Sequence, residues 1–220
     1  MQKSEFSYSL LNDLYFNQAV QCITQVFSSH EPMGKHLKIT KEELQPFIEQ
    51  LLMHAFKQKL SWIAIDNSSE KLAAVRIHTD VYDDFEYHPK TEKLKIIFQL
   101  LNSLYENHEY LLNAPKNTMS HTWMTAVQPE FQRKGLLKNL YRLCSHNAKL
   151  KGFQYCVGEA TNVHNLKFLN EEAKCSNFNK IEYKKFKYNE SFPFSDIEEH
   201  LECTLYYYPL MSYPELNNWL

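Results

Sequence analysis

Glycine is scarce: the 220-residue chain contains four. Neither a GxxxxGK[ST] phosphate loop nor a three-glycine dinucleotide fingerprint can be found in it. No apolar run approaches the ~18 residues that a helical membrane crossing needs. The opening stretch MQKSEFSYSLLNDLYFNQAV lacks an apolar segment followed by a small-residue cleavage site, which argues against a secretory leader. Charge of one sign is missing too. Twenty-four Lys and Arg stand against 26 Asp and Glu, so no global field draws the chain to nucleic acid or to an anionic membrane. The five cysteines are odd in number and form no CxxC pair, which favours reduced thiols in a cytoplasmic setting. A zinc site would rest on His200 and Cys203 alone, short of the three or four ligands usual for that ion, so no metal is expected.

What is present is an ordinary globular composition. Hydrophobic residues make up 44% and charged residues 23%, with fourteen Phe and fourteen Tyr. That suits a well-filled aromatic core and an apolar pocket. No repeat, low-complexity tract or Gly/Pro-rich linker divides the chain, so residues 1–220 are expected to form one domain. FSYSLL reads as a first strand. Apolar residues at 14, 15, 16, 19, 20, 23, 26 and 27 follow helical spacing. SSHEPMGKHLK interrupts that helix. Thr40 with Glu43 forms a capping box for the next, in which Pro46 marks either a distortion or the true start. SWIAIDN and KLAAVRIHTDV read as a strand pair. A helix over 91–112 follows, within a segment (83–118) that separates strands. Then come a strand at 120–127, a helix from 133 closed by Gly152, and a strand at 153–161. A helix over 163–174 precedes two strands, at 179–188 and 200–209. Interleaved strands and helices predict an α/β (α+β) fold on a mixed sheet of about seven strands.

One glycine stands out. In VQPEFQRKGLL, residues 127–137, Pro129 ends a strand, and Gly135 opens a helix behind Gln132, Arg133 and Lys134. The first amides of a helix have no internal partners, and the helix dipole adds positive potential there. Such an end accepts a phosphate, and a glycine lets main chain approach it closely. The spacing is equally that of a solvated basic loop at an ordinary helix start.

The stretch VQPEFQRKGLLKNLYRLC resembles motif A of the GNAT superfamily of N-acetyltransferases, V-x-P-x-x-[RQ]-x-x-G-x-[GA]. Val127, Pro129, Gln132 and Gly135 match, and Leu137 departs from the small residue preferred there. The order of elements is also similar to that family's, with the helix over 91–112 as an insertion. The resemblance implies a GNAT fold and acetyl-coenzyme A as donor. The amides of Gln132, Arg133, Lys134, Gly135, Leu136 and Leu137 would hold its pyrophosphate. The strand edge at Thr125, Ala126 and Val127 would pair with its pantetheine arm, and Asn165 would contact the coenzyme.

FSSHEPM, residues 27–33, resembles the F-x-x-D-E-P-L segment of arylalkylamine N-acetyltransferases of the insect dopamine type, with His30 in place of Asp. That resemblance makes Glu31 the general base. An alkylamine, with a pKa of ~10, is ammonium at neutral pH and must lose a proton before it attacks a thioester. Strand amides would stabilise the oxyanion. The tyrosine that many relatives use to protonate the thiolate is missing from NLKFLNEEAKCSNF. Thr161, His164 or Tyr183 could replace it, or solvent could supply the proton. Tyr15, Phe16, Met33, Phe192 and Phe194 are candidates both for an acceptor pocket and for plain core. Three functions stay open: a small-amine acetyltransferase with a closed apolar pocket, a peptide acetyltransferase with an open acidic groove, and a non-catalytic coenzyme A-binding module. No nucleic-acid or membrane partner is expected, and the chain is expected as a monomer or homodimer.

Overall fold

The computed structural model describes residues 4–83, 85–172 and 174–210. Strand β1 (Phe6–Leu10) leads through a short 3-10 turn into helix α1 (Phe16–Ser29). Helix α2 (Pro32–His36) and helix α3 (Lys41–Gln58) follow, then the antiparallel pair β2 (Trp62–Asp66) and β3 (Lys71–Asp80). Helix α4 (Glu92–Ser103) separates β3 from β4 (Met119–Val127). The chain continues through α5 (Leu136–Leu150), β5 (Tyr155–Ala160), α6 (Val163–Glu172), β6 (Ser176–Glu182) and β7 (Glu202–Pro209). Seven strands make one mixed sheet in the order β1-β2-β3-β4-β5-β7-β6, as expected from the sequence. Every neighbouring pair is antiparallel except β4 and β5.

Local chemistry explains most boundaries. The Thr40 side chain accepts from the Glu43 amide while Glu43 accepts from the Thr40 amide, a reciprocal cap that starts α3 at Lys41. Pro46 therefore lies inside that helix and is not its start. Leu44, Phe47, Ile48, Leu51, Leu52 and Ala55 form its buried stripe, each large apolar side chain contributing roughly 1.5–3 kcal/mol on burial. Three expectations need correction. Residues 32–36, read as a break, form α2, because Glu31 caps it and Pro32 takes its first turn. The helix expected over 91–112 stops at Ser103, and Tyr105 turns inward instead. The strand expected over 179–188 ends at Glu182, where a 3-10 turn buries Tyr183. The helix expected over 163–174 runs to Glu172, and position 173 lies outside the described residues. Among the described residues no helix is long and apolar enough to cross a membrane.

The parallel pair positions the site. β4 and β5 pair only from Met119↔Tyr155 to Thr122↔Gly158. Beyond that point β4 stays with β3 while β5 follows β7, so the two strands splay apart. A β-bulge at Trp123, where Ile77 pairs Met124 and His78 pairs Thr122, adds local twist. It also breaks the alternation of faces, so Thr122 and Thr125 reach the same buried side chain, Arg76.

Candidate active site

The splay opens a groove of about 730 Å³ on one side of β4. Its floor is the edge of residues 123–127, which has no strand partner towards β5. One end is the turn into α5. There Arg133 and Gly135 both adopt positive φ, 62° and 77°. A glycine holds that conformation at little cost, whereas another residue pays a steric penalty. The space that a Cβ at Gly135 would enter is open. The amides of Arg133, Lys134 and Gly135 have no backbone acceptor among the described residues, and the first-turn amides of α5 have none within the helix. Gln132, Arg133, Gly135, Leu136 and Leu137 line the groove, and Asn165 at the start of α6 faces it from the far wall. Such a cradle of free amides at a helix N-terminus fits a diphosphate, and the unpaired strand edge fits an amide-bearing arm.

Two of the expected coenzyme contacts, Lys134 and Ala126, are placed differently by the fold. The Lys134 ammonium donates to Glu5 at 2.5 Å and lies over the rings of Phe6 and Phe131, so its side chain is turned away from the groove. Lys138, one helical turn on, lines the groove instead. Spacing could have suggested it, since residues three and four apart share a helix face. Ala126 is fully buried and packs into the core, so it can offer main chain alone, while Thr125 and Val127 line the groove.

A second cavity of about 410 Å³ lies across the sheet edge. Phe27, Phe47, Phe85, Tyr87, Phe98 and Trp123 wall it, drawn from α1, α3, the 85–88 loop, α4 and β4. Ring contacts knit this wall together: Phe47 meets Phe98 edge-on at 5.2 Å and Tyr87 at 4.8 Å between centroids. The aromatic candidates named from the sequence are elsewhere. Tyr15 and Phe16 pack on the core beside α1. Met33 and Phe194 sit in a separate cluster, and Phe192 is exposed.

The two cavities meet at Glu31, Glu159 and Thr161, which line both. Glu31 is 8% exposed. One carboxylate oxygen, Oε2, accepts a 2.6 Å hydrogen bond from the Gly34 amide. The other, Oε1, is buried without a partner. A Cβ at Gly34 would lie 2.4 Å from the Phe27 carbonyl oxygen, so a glycine is required for this close packing. Burial pushes the Glu31 carboxyl up to about 7, against the pull of the Gly34 and Met33 amides and the Thr161 hydroxyl. A carboxylate with one oxygen held, the other without a partner among the described residues, and a pKa raised by burial can take a proton.

Glu159 is the neighbour the sequence did not single out. The Tyr105 hydroxyl donates to its Oε1, and His121 Nε2 lies 3.3 Å from both of its oxygens. No spacing rule links positions 105, 121 and 159, so only the fold brings them together. Of the candidate thiolate acids, Tyr183 is excluded: it is fully buried and donates to the Thr161 carbonyl at 2.6 Å. Thr161 and His164 both line the groove along β4.

No protein-family model matches the sequence, and no curated protein sequence does. Solved structures do match in three dimensions. The chain superposes on the C-terminal condensation domain of Ebony in complex with beta-alanyl-dopamine with a TM-score of 0.83, at 13% identity, covering 93% of this chain and 98% of that one. Against arylalkylamine N-acetyltransferase 2 from Aedes aegypti the TM-score is 0.80, at 18% identity, with 94% and 100% covered. Against the Drosophila melanogaster polyamine N-acetyltransferase that forms N-acetylagmatine it is 0.73, at 13% identity, with 93% and 99% covered. The chain has the GNAT fold.

Proposed function

We propose that this protein is an acetyl-coenzyme A-dependent N-acetyltransferase, formed as one domain, whose acceptor is a small primary amine of the arylalkylamine class. The observation that carries the reading is the half-free Glu31 carboxylate at the junction of a groove lined by free amides and an aromatic-walled cavity. Acetyl-coenzyme A supplies the reactive thioester when bound. The turn 132–137, with Asn165 opposite, holds its pyrophosphate, and the free edge of β4 holds the arm. Glu31 first pairs with the ammonium of the acceptor and then takes its proton, releasing the neutral amine for attack. Amides of the β4 edge stabilise the oxyanion. The six aromatic side chains bury the aryl group and exclude water, contributing area and ring contacts.

The shape of the acceptor cavity supports a small molecule over a peptide. A peptide would need a long open trough, whereas six rings wall this cavity and its carboxylates, Glu31, Glu86 and Glu159, suit the single cation of a small amine. The relatives in shape point the same way, since one acts on arylalkylamines by name and another holds a dopamine conjugate. A thiol-release assay with aromatic amines, polyamines and short peptides tests the reading. Turnover is expected with arylalkylamines, and Glu31→Gln is expected to lose it while still binding coenzyme A. Turnover confined to peptides, or equal rates in the two proteins, would overturn it.

A further inference from the structure

Arg76, on β3, is 2% exposed and yet lines the groove. Its Nη1 donates to the Thr125 hydroxyl at 2.7 Å and its Nη2 to the Thr122 hydroxyl at 3.0 Å. The guanidinium lies 4.9 Å from the centre of the Tyr141 ring, and its Nε has no partner. No carboxylate pairs with it among the described residues. A guanidinium stays charged at any physiological pH, and a buried charge without a counter-ion is costly. Five of the ionisable groups around it are held neutral by burial. Burial holds the thiol of Cys144 (α5) up to about 12 and raises the hydroxyls of Tyr206 and Tyr208 (β7) and of Tyr141 (α5). His78 on β3 is held neutral, first by burial and then by Arg76 itself. The Cys156 thiol on β5 completes the surroundings. The retained, uncompensated cation therefore calls for an anion that arrives in the groove.

Its position says which anion. Thr122 is the last β4 residue paired with β5, and Thr125 lies on the free edge. Under the acetyl-transfer reading, on which this inference rests, the pyrophosphate lies at residues 132–137 and the amine at Glu31. The sulfur of a coenzyme so held would come between them, where Arg76 and residues 122–125 line the groove. We propose that Arg76 is the catalytic cation that stabilises the departing thiolate, in the place of the absent tyrosine acid. When nitrogen has bonded to the carbonyl carbon, the oxyanion re-forms C=O and the C–S bond breaks. Its electron pair stays on sulfur, facing Arg76. Glu31 has taken the ammonium proton before attack; the second proton leaves the nitrogen for water as C=O re-forms, and the thiolate takes its own proton from water as it leaves.

The test titrates the thiol of coenzyme A bound to the protein, by its ultraviolet thiolate absorbance, with binding measured separately by calorimetry. On the wild-type protein the bound thiol is expected to ionise at least tenfold more readily than free coenzyme A, the effect of a nearby opposite charge. Arg76→Met and Arg76→Gln are both expected to erase that gain, and Arg76→Lys to keep part of it. The glutamine variant keeps a neutral polar end in place of the cation, so the result can be read if the methionine variant does not fold. An unchanged thiol in a neutral variant that still binds coenzyme A overturns the role of Arg76 alone. Absence of any coenzyme binding to the wild-type protein overturns the acetyl-transfer reading and this inference with it.

Discussion

The two cavities that meet at Glu31 are built in opposite ways. The coenzyme-side groove is made chiefly of main chain: a strand edge, a turn with positive φ at Arg133 and Gly135, and the first turn of α5. Its key residues lie within one short stretch of sequence. The acceptor cavity is made of side chains, with rings contributed by five separate segments, among them the loop and helix between β3 and β4. A main-chain site tolerates many side chains but few backbone changes. A side-chain site does the reverse.

The contrast can be broken most strongly at the shared residue. Glu31→Gln should lower kcat by about a hundred- to ten-thousand-fold, the usual contribution of a general base, with coenzyme affinity unchanged by calorimetry. Wild-type activity should rise as pH passes about 7, where the buried carboxyl loses its proton, and the variant should lack that limb. The same shift has a stability consequence. Because the folded-state pKa is raised from 4.5 to about 7, the folded protein holds this proton more tightly than the unfolded chain. Its contribution is fully present below about pH 4.5, falls as pH rises to 7, and is lost above it. The loss is roughly 3 kcal/mol at most. Urea denaturation should accordingly find Glu31→Gln more stable than wild type at pH 8, with little difference at pH 4.

Gly135→Asp comes next. Strain at positive φ is about 1–2 kcal/mol, and the added anion repels phosphate. A loss of at least about tenfold in coenzyme A affinity is expected. An amine-protection or inhibitor-binding measurement should show the acceptor cavity intact. Phe98→Ala probes the other side. It should raise KM for arylalkylamines by about tenfold, for one lost aromatic contact with its burial, and leave coenzyme affinity alone. If it weakens coenzyme binding as much as amine binding, the two cavities are not separable. The smallest effect is expected at Lys134. With its ammonium committed to Glu5, Lys134→Met should change coenzyme affinity by less than about threefold, as suits an exposed ion pair. A larger loss would return its side chain to the cradle.

Much of this architecture was legible in the chain because it depends on neighbours in sequence. The capping box at Thr40 and Glu43, the strand ending at Pro129, and the glycine before α5 are all local devices, and each is found where its spacing put it. The motif resemblance extended that reading to the groove, where Gln132, Arg133, Gly135 and Asn165 come together. Local rules failed where a side chain answers to a distant partner. Lys134 turns to Glu5, Tyr105 leaves the helical path for Glu159, and Tyr183 ends β6 by reaching the Thr161 carbonyl.

Sequence by itself determined most of the elements, the mixed sheet and the glycine that opens α5, because hydrogen bonding along a helix or strand is set by residues a few positions apart. Tertiary structure decided which rings face the cavity, which of two carboxylates is left half-free, and that Arg76 has no carboxylate partner among the described residues. Those outcomes depend on burial and on the splay of β4 from β5, and a carboxylate or guanidinium takes its chemical character from what surrounds it in space.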